Sequence, residues 1–267
     1  MMNHELSADR DHGPRTAGHG LRAGDYGRRS HSSFIIHPSS FAGFTLIELL
    51  IVVAIMATLA AMTFPVMSAV KRQMIRTRAR GGLTQIETAI EAYNSKFGQY
   101  PPDTTWPTPV PPDAWATNQL YYELLGTTNI LNPTRYQTLD GSATMLAANV
   151  SIVFHNVSGF MNCSLPSNGD DAGTGMNFLK GGLKANQFAP VTINNVSNVC
   201  VLGAALEGPV YLDTADNKKI NPWRYNSSNP VHNPKTFDLW MDVLVGGKTN
   251  RISNWSDQAI LVSTPYP

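Results

Sequence analysis

An unbroken apolar run near the N-terminus constrains this chain more than any other feature. Phe44 to Val70 span 27 residues, and Glu48 is the only charged residue among them. A helix that crosses the hydrocarbon core of a membrane needs about 20 apolar residues, whereas the apolar part of a cleavable signal peptide has only about 7–15. The run therefore predicts a transmembrane helix over residues 44–70 rather than a simple secretion signal.

The same helix is predicted to continue beyond the membrane over residues 71–97. A basic stretch comes first, consisting of Lys71, Arg72, Arg76, Arg78 and Arg80. Apolar residues then recur at steps of three and four and so share one helical face: Leu83, Ile86, Ile90, Tyr93 and Phe97. Gly98 suits the C-cap, and Pro101-Pro102 ends the element. The whole helix is expected to be about 80 Å long, with Pro65 and Gly81-Gly82 as the places where it bends or loosens.

The remaining residues, 98–267, predict a globular head of the α+β class. Its Asn, Thr, Ser, Gly and Pro residues favour turns. One short helix is expected at Asn118–Leu125. Five strand-like runs are separated by Gly, Asn and Pro clusters: Val150–Val157, Val199–Leu202, Val210–Asp213, Phe237–Val245 and Ala259–Val262. The predicted architecture is a long N-terminal helix, transmembrane in its first half, packed on a small antiparallel sheet.

Residues 1–43 predict an unstructured leader, since they are rich in Arg, His, Gly and Ser and have no periodic apolar face. At their end, Gly43-Phe44-Thr45-Leu46-Ile47-Glu48 and the apolar run resemble the prepilin processing motif of type IV pilins and type II secretion pseudopilins. The resemblance implies the pilin fold, removal of the leader between Gly43 and Phe44 by the prepilin peptidase, and N-methylation of Phe44 by the same enzyme.

Two residues of the apolar run have an expected role in assembly. The resemblance implies that Glu48 pairs with the Phe44 ammonium of a neighbouring subunit and sets the axial register of the helices. The alternative is an acid that is tolerated close to the membrane interface. The resemblance also implies local melting of the filament helix at Pro65, and the alternative there is a simple kink near the membrane exit.

The topology is predicted from the resemblance and not from charge. Family leaders are usually short, with a basic residue just before the Gly, whereas this leader is long and residues 31–43 contain no Lys or Arg. The positive-inside tendency would place residues 71–80 in the cytoplasm. The resemblance instead places the leader in the cytoplasm and the head in the periplasm, as in a single-pass inner-membrane protein that later joins a filament. Either the export route overrides the charge rule, or the natural start differs from Met1.

A second resemblance concerns the type of subunit. Leu83–Asp103 looks like the end of the helix in major pseudopilins of type II secretion, and residues 221–255 resemble their C-terminal half. The implied function is a structural subunit of a pseudopilus that supports protein export across the outer membrane. The implied partners are other copies of the chain, the prepilin peptidase, an inner-membrane assembly platform and minor pseudopilins. The alternative is a type IV pilus subunit for adhesion, motility or DNA uptake.

Major pseudopilins carry a calcium-binding loop, and its counterpart here is Met241–Arg251 with the preceding Asp238. Calcium takes six to eight oxygen ligands. This stretch keeps Asp238 and Asp242 as calcium candidates, but it has lost most acids and gained Lys248 and Arg251. The favoured interpretation is that no cofactor is bound.

The sequence gives little indication of an enzyme or of a nucleic-acid-binding protein. There is no nucleophile elbow, phosphate loop or metal-ligand spacing, so no enzyme is predicted. A formal net charge of +1 predicts no nucleic-acid partner. Trp223, Trp240 and Trp255 are expected to be core aromatics. Cys163 and Cys200 are expected to form a disulfide if the head is exported; the alternative is a small core residue at 200 and an exposed thiol at 163.

Overall fold

The computed structural model describes residues 43–263 except 105, 107–113, 132–133, 156, 165–172, 215 and 217–218, and it describes only the backbone of Phe64 and Pro65. Apart from Gly43, the predicted leader lies outside the described residues. The chain divides into two compact units, one ending at Val52 and the other beginning at Val53. The first unit contributes residues 43–52, and the second contains the hydrophobic core.

The long N-terminal helix is present as predicted. Helix α1 runs from Leu46 to Phe97, which is 52 residues. It continues through Pro65 and Gly81-Gly82, so the expected loosening does not interrupt it within the subunit. Gly98 follows with φ of +73°, a conformation open to glycine, and its amide donates to the carbonyl of Asn94.

The head contains two further helices and a single 3-10 turn in the part of the chain that is described. The turn is Ala114–Ala116, helix α2 is Leu120–Leu125 and helix α3 is Ala147–Phe154. The first six strands are β1 (Thr127–Ile130), β2 (Arg135–Thr138), β3 (Thr144–Leu146), β4 (Cys163–Ser164), β5 (Phe188–Ile193) and β6 (Val196–Ala204). The others are β7 (Leu212–Asp213), β8 (Lys219–Pro222), β9 (Arg224–Asn226), β10 (Asp238–Val245), β11 (Lys248–Ser253) and β12 (Ser256–Leu261).

These strands form three four-stranded sheets where the sequence predicted one small sheet. Their orders are β3-β2-β1-β4, β5-β6-β8-β7 and β12-β11-β10-β9. Every pairing is antiparallel except that of β1 with β4. The predicted strand Val150–Val157 is wrong, because residues 147–154 form α3. Its buried residues Val150, Val153 and Phe154 are spaced by three and one, which is a helical and not an alternating pattern.

The second half of α1 lies in the core through the face that the sequence predicted. Leu83, Ile86, Ile90 and Tyr93 are buried, and Phe97 packs against the core. A Cβ built on Gly82 would lie 3.1 Å from the Trp223 ring, so glycine lets this indole approach the helix closely. Trp223 and Trp240 are core aromatics as predicted, whereas Trp255 is only half-buried.

Candidate functional site

The Gly43-Phe44 junction lies just before helix α1, and both of its residues are exposed in the described chain. Gly43 and Phe44 have no regular secondary structure, and the Phe44 side chain is 78% exposed. A Cβ built on Gly43 would meet no atom within 4 Å. A peptidase needs access to the bond that it cleaves, and both residues of this junction are exposed.

Glu48 and Thr45 cap the helix reciprocally. The Thr45 backbone N–H donates to Oε2 of Glu48 at 2.9 Å, and the Thr45 hydroxyl donates to the same oxygen at 2.7 Å. The Glu48 N–H in turn donates to the Thr45 hydroxyl oxygen at 3.3 Å. This is the capping box, in which a Thr and a Glu three residues later satisfy amides that the first helical turn leaves without partners. Its usual signature, Thr45-x-x-Glu48, is visible in the sequence but was not among the predictions from it.

The apolar run has an exposed surface on all sides. None of the residues in the most apolar window of α1 is buried, and the helix is long and apolar enough to cross a membrane. Two of its hydroxyls bond to carbonyls of the preceding turn, Thr58 to Ile55 and Thr63 to Leu59, at 2.8 Å each. These side chains therefore bring no unsatisfied donor to the helix surface. Pro65 lies on this helix, and its predicted role in filament melting stays a prediction.

Part of the basic stretch holds the helix to the head. Arg80 donates to the carbonyl oxygens of Ser253 and Ser256 at 2.9 and 2.8 Å, and Arg76 donates to Oδ1 of Asn250 at 3.2 Å. Arg72, one turn earlier, lies beside Gly246, where a built Cβ would be 3.4 Å from its Cδ. Arg72, Arg76 and Arg80 thus form a row with a spacing of four residues, which we call the arginine row. These contacts with the head were not predicted from the sequence.

The two calcium candidates are engaged in other contacts. Asp242 forms a bidentate ion pair with Arg251, with N–O distances of 2.8 and 2.9 Å. Asp238 accepts three backbone amides, from Val231, His232 and Asn233, at 2.8–2.9 Å. In the described ranges, no group of three or more His, Cys, Asp and Glu side chains is arranged to hold a metal ion. The carboxylate oxygens of Asp238 and Asp242 thus accept hydrogen bonds from protein donors, and calcium binding at these two candidates stays a prediction.

The structure does not join the two cysteines. Cys163 is on β4 and half-buried, whereas Cys200 is buried on β6 in a different sheet, and both are free thiols. Burial raises the pKa of both thiols, that of Cys200 to about 11. Thiols of this kind are poor nucleophiles at neutral pH. The predicted disulfide is thus absent from the structure.

Comparison with known proteins identifies the N-terminal segment. The family described as the prokaryotic N-terminal methylation motif matches residues 38–64, which include the Gly43-Phe44 junction, the capping box and most of the apolar run. No curated protein and no solved structure matches the chain. Together with the exposed apolar helix, the motif suits a membrane-anchored protein that is processed at its N-terminus.

Proposed function

We propose that this chain, a type IV pilin-like prepilin, is a structural subunit of a type II secretion pseudopilus. The prepilin peptidase removes residues 1–43 in the cytoplasm and methylates the new N-terminus at Phe44. The mature subunit stays in the inner membrane through α1, with its head in the periplasm. An inner-membrane platform then assembles copies of it, with minor pseudopilins, into a filament that supports protein export.

The observation that carries the proposal is the bare apolar half of α1. Large side chains from Phe44 to Val70 are mostly half exposed or more, for example 81% for Leu46 and 72% for Met62. Exposed apolar surface costs roughly 25 cal/mol per Å² in water. A helix of this kind needs an apolar surrounding at each stage, which lipid provides before assembly and neighbouring helices provide in a filament.

Glu48 has the acceptor capacity that a register contact requires. Both donors from Thr45 bond to Oε2, and Oε1 accepts no hydrogen bond from the residues that the structure describes. A carboxylate has room for several donors across its two oxygens. The capping box therefore holds one oxygen in place and leaves the other for the Phe44 ammonium of a neighbouring subunit. Once paired, the two charges neutralise each other in the apolar interior.

The pseudopilin type is supported by contacts between the two stretches that resemble major pseudopilins, residues 83–103 and 221–255. The Tyr225 hydroxyl donates to the carbonyl of Pro101 at 2.8 Å, and the amides of Ser227 and Ser228 donate to Oδ2 of Asp103 at 2.9 and 3.2 Å. The Tyr100 and Phe237 rings pack with centroids 5.1 Å apart. The segments that resemble major pseudopilins, residues 83–103 and 221–255, thus belong to one packed region even though over a hundred residues separate them.

Gene deletion with separate assays tests the proposed role. We expect loss of secreted enzymes from the medium with unchanged twitching motility and DNA uptake, and restoration of secretion by the wild-type gene. A Gly43→Ala prepilin is the matched control, because its head and span are intact but its processing site is altered, and it should fail to restore secretion. Normal secretion with lost twitching or transformation would instead assign the chain to a type IV pilus.

A further inference from the structure

The arginine row fixes which part of the head lies level with the end of the apolar run. Arg72 follows Val70 by two residues, a rise of about 3 Å along the helix. Its aliphatic part packs beside Gly246 in the tight turn between β10 and β11. The next contacts of the row lie further up the same hairpin, at Asn250 and Ser253. The β10–β11 turn therefore points towards the apolar half of the helix.

This end of the head has a basic surface. Lys71 and Arg72 are exposed on the helix, and Lys248 is exposed directly after the Gly246-Gly247 turn. None of the three side chains forms a hydrogen bond or an ion pair with the residues that the structure describes. By contrast, Arg76 and Arg80 have protein partners. The three cations thus have their charge available to an outside ligand.

We propose that Lys71, Arg72 and Lys248 form a binding site for the phosphates of anionic phospholipids, which we call the basic rim. The proposal rests on the membrane anchor of the proposed function. Headgroups occupy the layer just beyond the hydrocarbon core, about 5–7 Å deep on each side, and the basic rim begins at the first residue after the apolar run. The rim holds the base of the head on the membrane surface before assembly.

The composition of the turn agrees with this role. Gly246 and Gly247 have φ of +61° and +76°, and a Cβ at Gly247 would meet no atom within 4 Å. The turn has no bulky side chain that would keep phosphates from its backbone amides, and such amides bind phosphate oxygens. The stretch that resembles a calcium loop by position has a Gly-Gly-Lys sequence, which is suited to an anion and not to a metal cation.

Hydrogen exchange of the full mature chain in nanodiscs tests the site. One set of discs contains phosphatidylcholine alone, and the other also contains phosphatidylglycerol. We expect the amides of residues 245–250 to exchange about fivefold more slowly in the anionic discs, the effect of roughly one basic residue at an anionic surface. Molar salt should abolish the difference, because the Debye length falls from about 10 Å at 0.1 M to about 3 Å at 1 M.

Variants test whether the basic rim causes the slower amide exchange in anionic discs. Lys248→Gln should remove most of the protection in the anionic discs, and Lys71→Gln with Arg72→Gln should remove the rest. Lys180→Gln is the matched control, because Lys180 is exposed and lines a groove with Thr88 and Ala92, which lie about 24–30 Å further along the helix than Arg72. This control should keep the full protection.

Each remaining outcome contradicts the proposal. Equal exchange in both lipids, with the chain still bound to the discs, would overturn the rim and leave the proposed function intact. Unchanged lipid protection in Lys248→Gln with a lower filament yield would assign this lysine to a neighbouring subunit. Failure of the chain to enter discs of either composition would contradict the membrane anchor, and with it the proposed function.

Discussion

The hydroxyl of Tyr93 on the long helix donates to Oε2 of Glu123 on α2, at 3.0 Å, in the interior of the head. The amides of Met161 and Asn162 donate to the same carboxylate at 2.9 and 3.0 Å. All of these donors are neutral, and the Glu123 side chain is fully buried. Burial therefore raises the pKa of Glu123 above its ordinary value, although the three hydrogen bonds act in the opposite direction.

Glu123→Gln should change how stability depends on pH. A carboxyl group with a raised pKa in the folded state lowers the free energy of unfolding as pH rises from its unfolded pKa, near 4.5, through the folded value. Gln does not titrate, so the variant should lack this decline. At the acid end it should be about 1–3 kcal/mol less stable than wild type, because its NH₂ group faces a backbone N–H, and the difference should shrink as pH rises.

Urea unfolding of the mature chain in detergent at several pH values measures the pH dependence of stability and the stability difference between Glu123→Gln and wild type. Glu207→Gln, at an exposed position, serves as the control and should follow the wild-type profile. Parallel pH profiles for wild type and Glu123→Gln would show that Glu123 has the same pKa in the folded and unfolded chains.

Substitutions at Thr45 and Glu48 should separate capping from charge pairing. Thr45→Val removes the hydroxyl of the capping box and should lower filament yield, since loss of an N-cap costs about 0.5–2 kcal/mol; Thr45→Ser should assemble normally. Glu48→Gln keeps an acceptor for the cap but loses the charge, and Glu48→Ala loses both. We expect both Glu48 variants to insert into the membrane and to assemble poorly. Pelleting of sheared filaments gives the yield, and a wild-type yield from Glu48→Ala would refute the register role.

Mass spectrometry of purified filaments should find a mature chain of 224 residues, which is 267 minus 43, beginning with N-methylated Phe44. The exposed Gly43-Phe44 junction and the matching methylation motif are the reasons for this expectation. Material from a strain without the prepilin peptidase is the control and should keep the leader. Assembled filaments with an intact leader would contradict the prediction.

Arg80→Ala should destabilise the head by about 1.5–3 kcal/mol, the usual range for hydrogen bonds to a charged group. The change leaves the carbonyl oxygens of Ser253 and Ser256 without their donor. Arg78→Ala is the matched control from the same basic stretch, because Arg78 is exposed, and its effect should stay within about 0.5 kcal/mol. Urea unfolding compares the two, and equal effects would mean that the arginine row does not hold the helix.

Calcium should have no effect on stability. The carboxylate of Asp242 is paired with Arg251 and that of Asp238 with three amides, so a chelator should leave the unfolding temperature unchanged. Asp242→Ala should cost about 3–5 kcal/mol, since it leaves a buried guanidinium without its partner. A fall in the unfolding temperature on chelation would show that a calcium site exists after all.

The sequence predicted the long helix well because its signals are local and repeated. The apolar run, the three-and-four spacing from Leu83 to Phe97 and the glycine at position 98 each specify helix or helix end without help from distant residues. The strand at 150–157 was wrong because a short run of apolar residues suits either state, and only the contacts of Val150, Val153 and Phe154 with the core decide between them.

The partners of charged residues could not be predicted, because they depend on pairs far apart in the chain. Arg80 and Ser253 are separated by 173 residues, and Glu123 and Asn162 by 39. Without these contacts, the basic stretch is indistinguishable from a lipid-binding or topological signal. The contacts of the arginine row with the head explain part of the basic stretch. The Thr45-Glu48 pair is different, since its spacing of three residues was visible in the sequence.

The bare apolar half of α1 has a thermodynamic consequence for assembly. In the proposed pathway, this surface moves from lipid to neighbouring helices and is never hydrated in either state. Heat-capacity changes arise mainly from the hydration of apolar surface. The heat-capacity change of assembly should therefore be small relative to the apolar area that becomes buried between helices. The equilibrium between membrane-bound subunit and filament should then vary with temperature much less steeply than the folding of the head does.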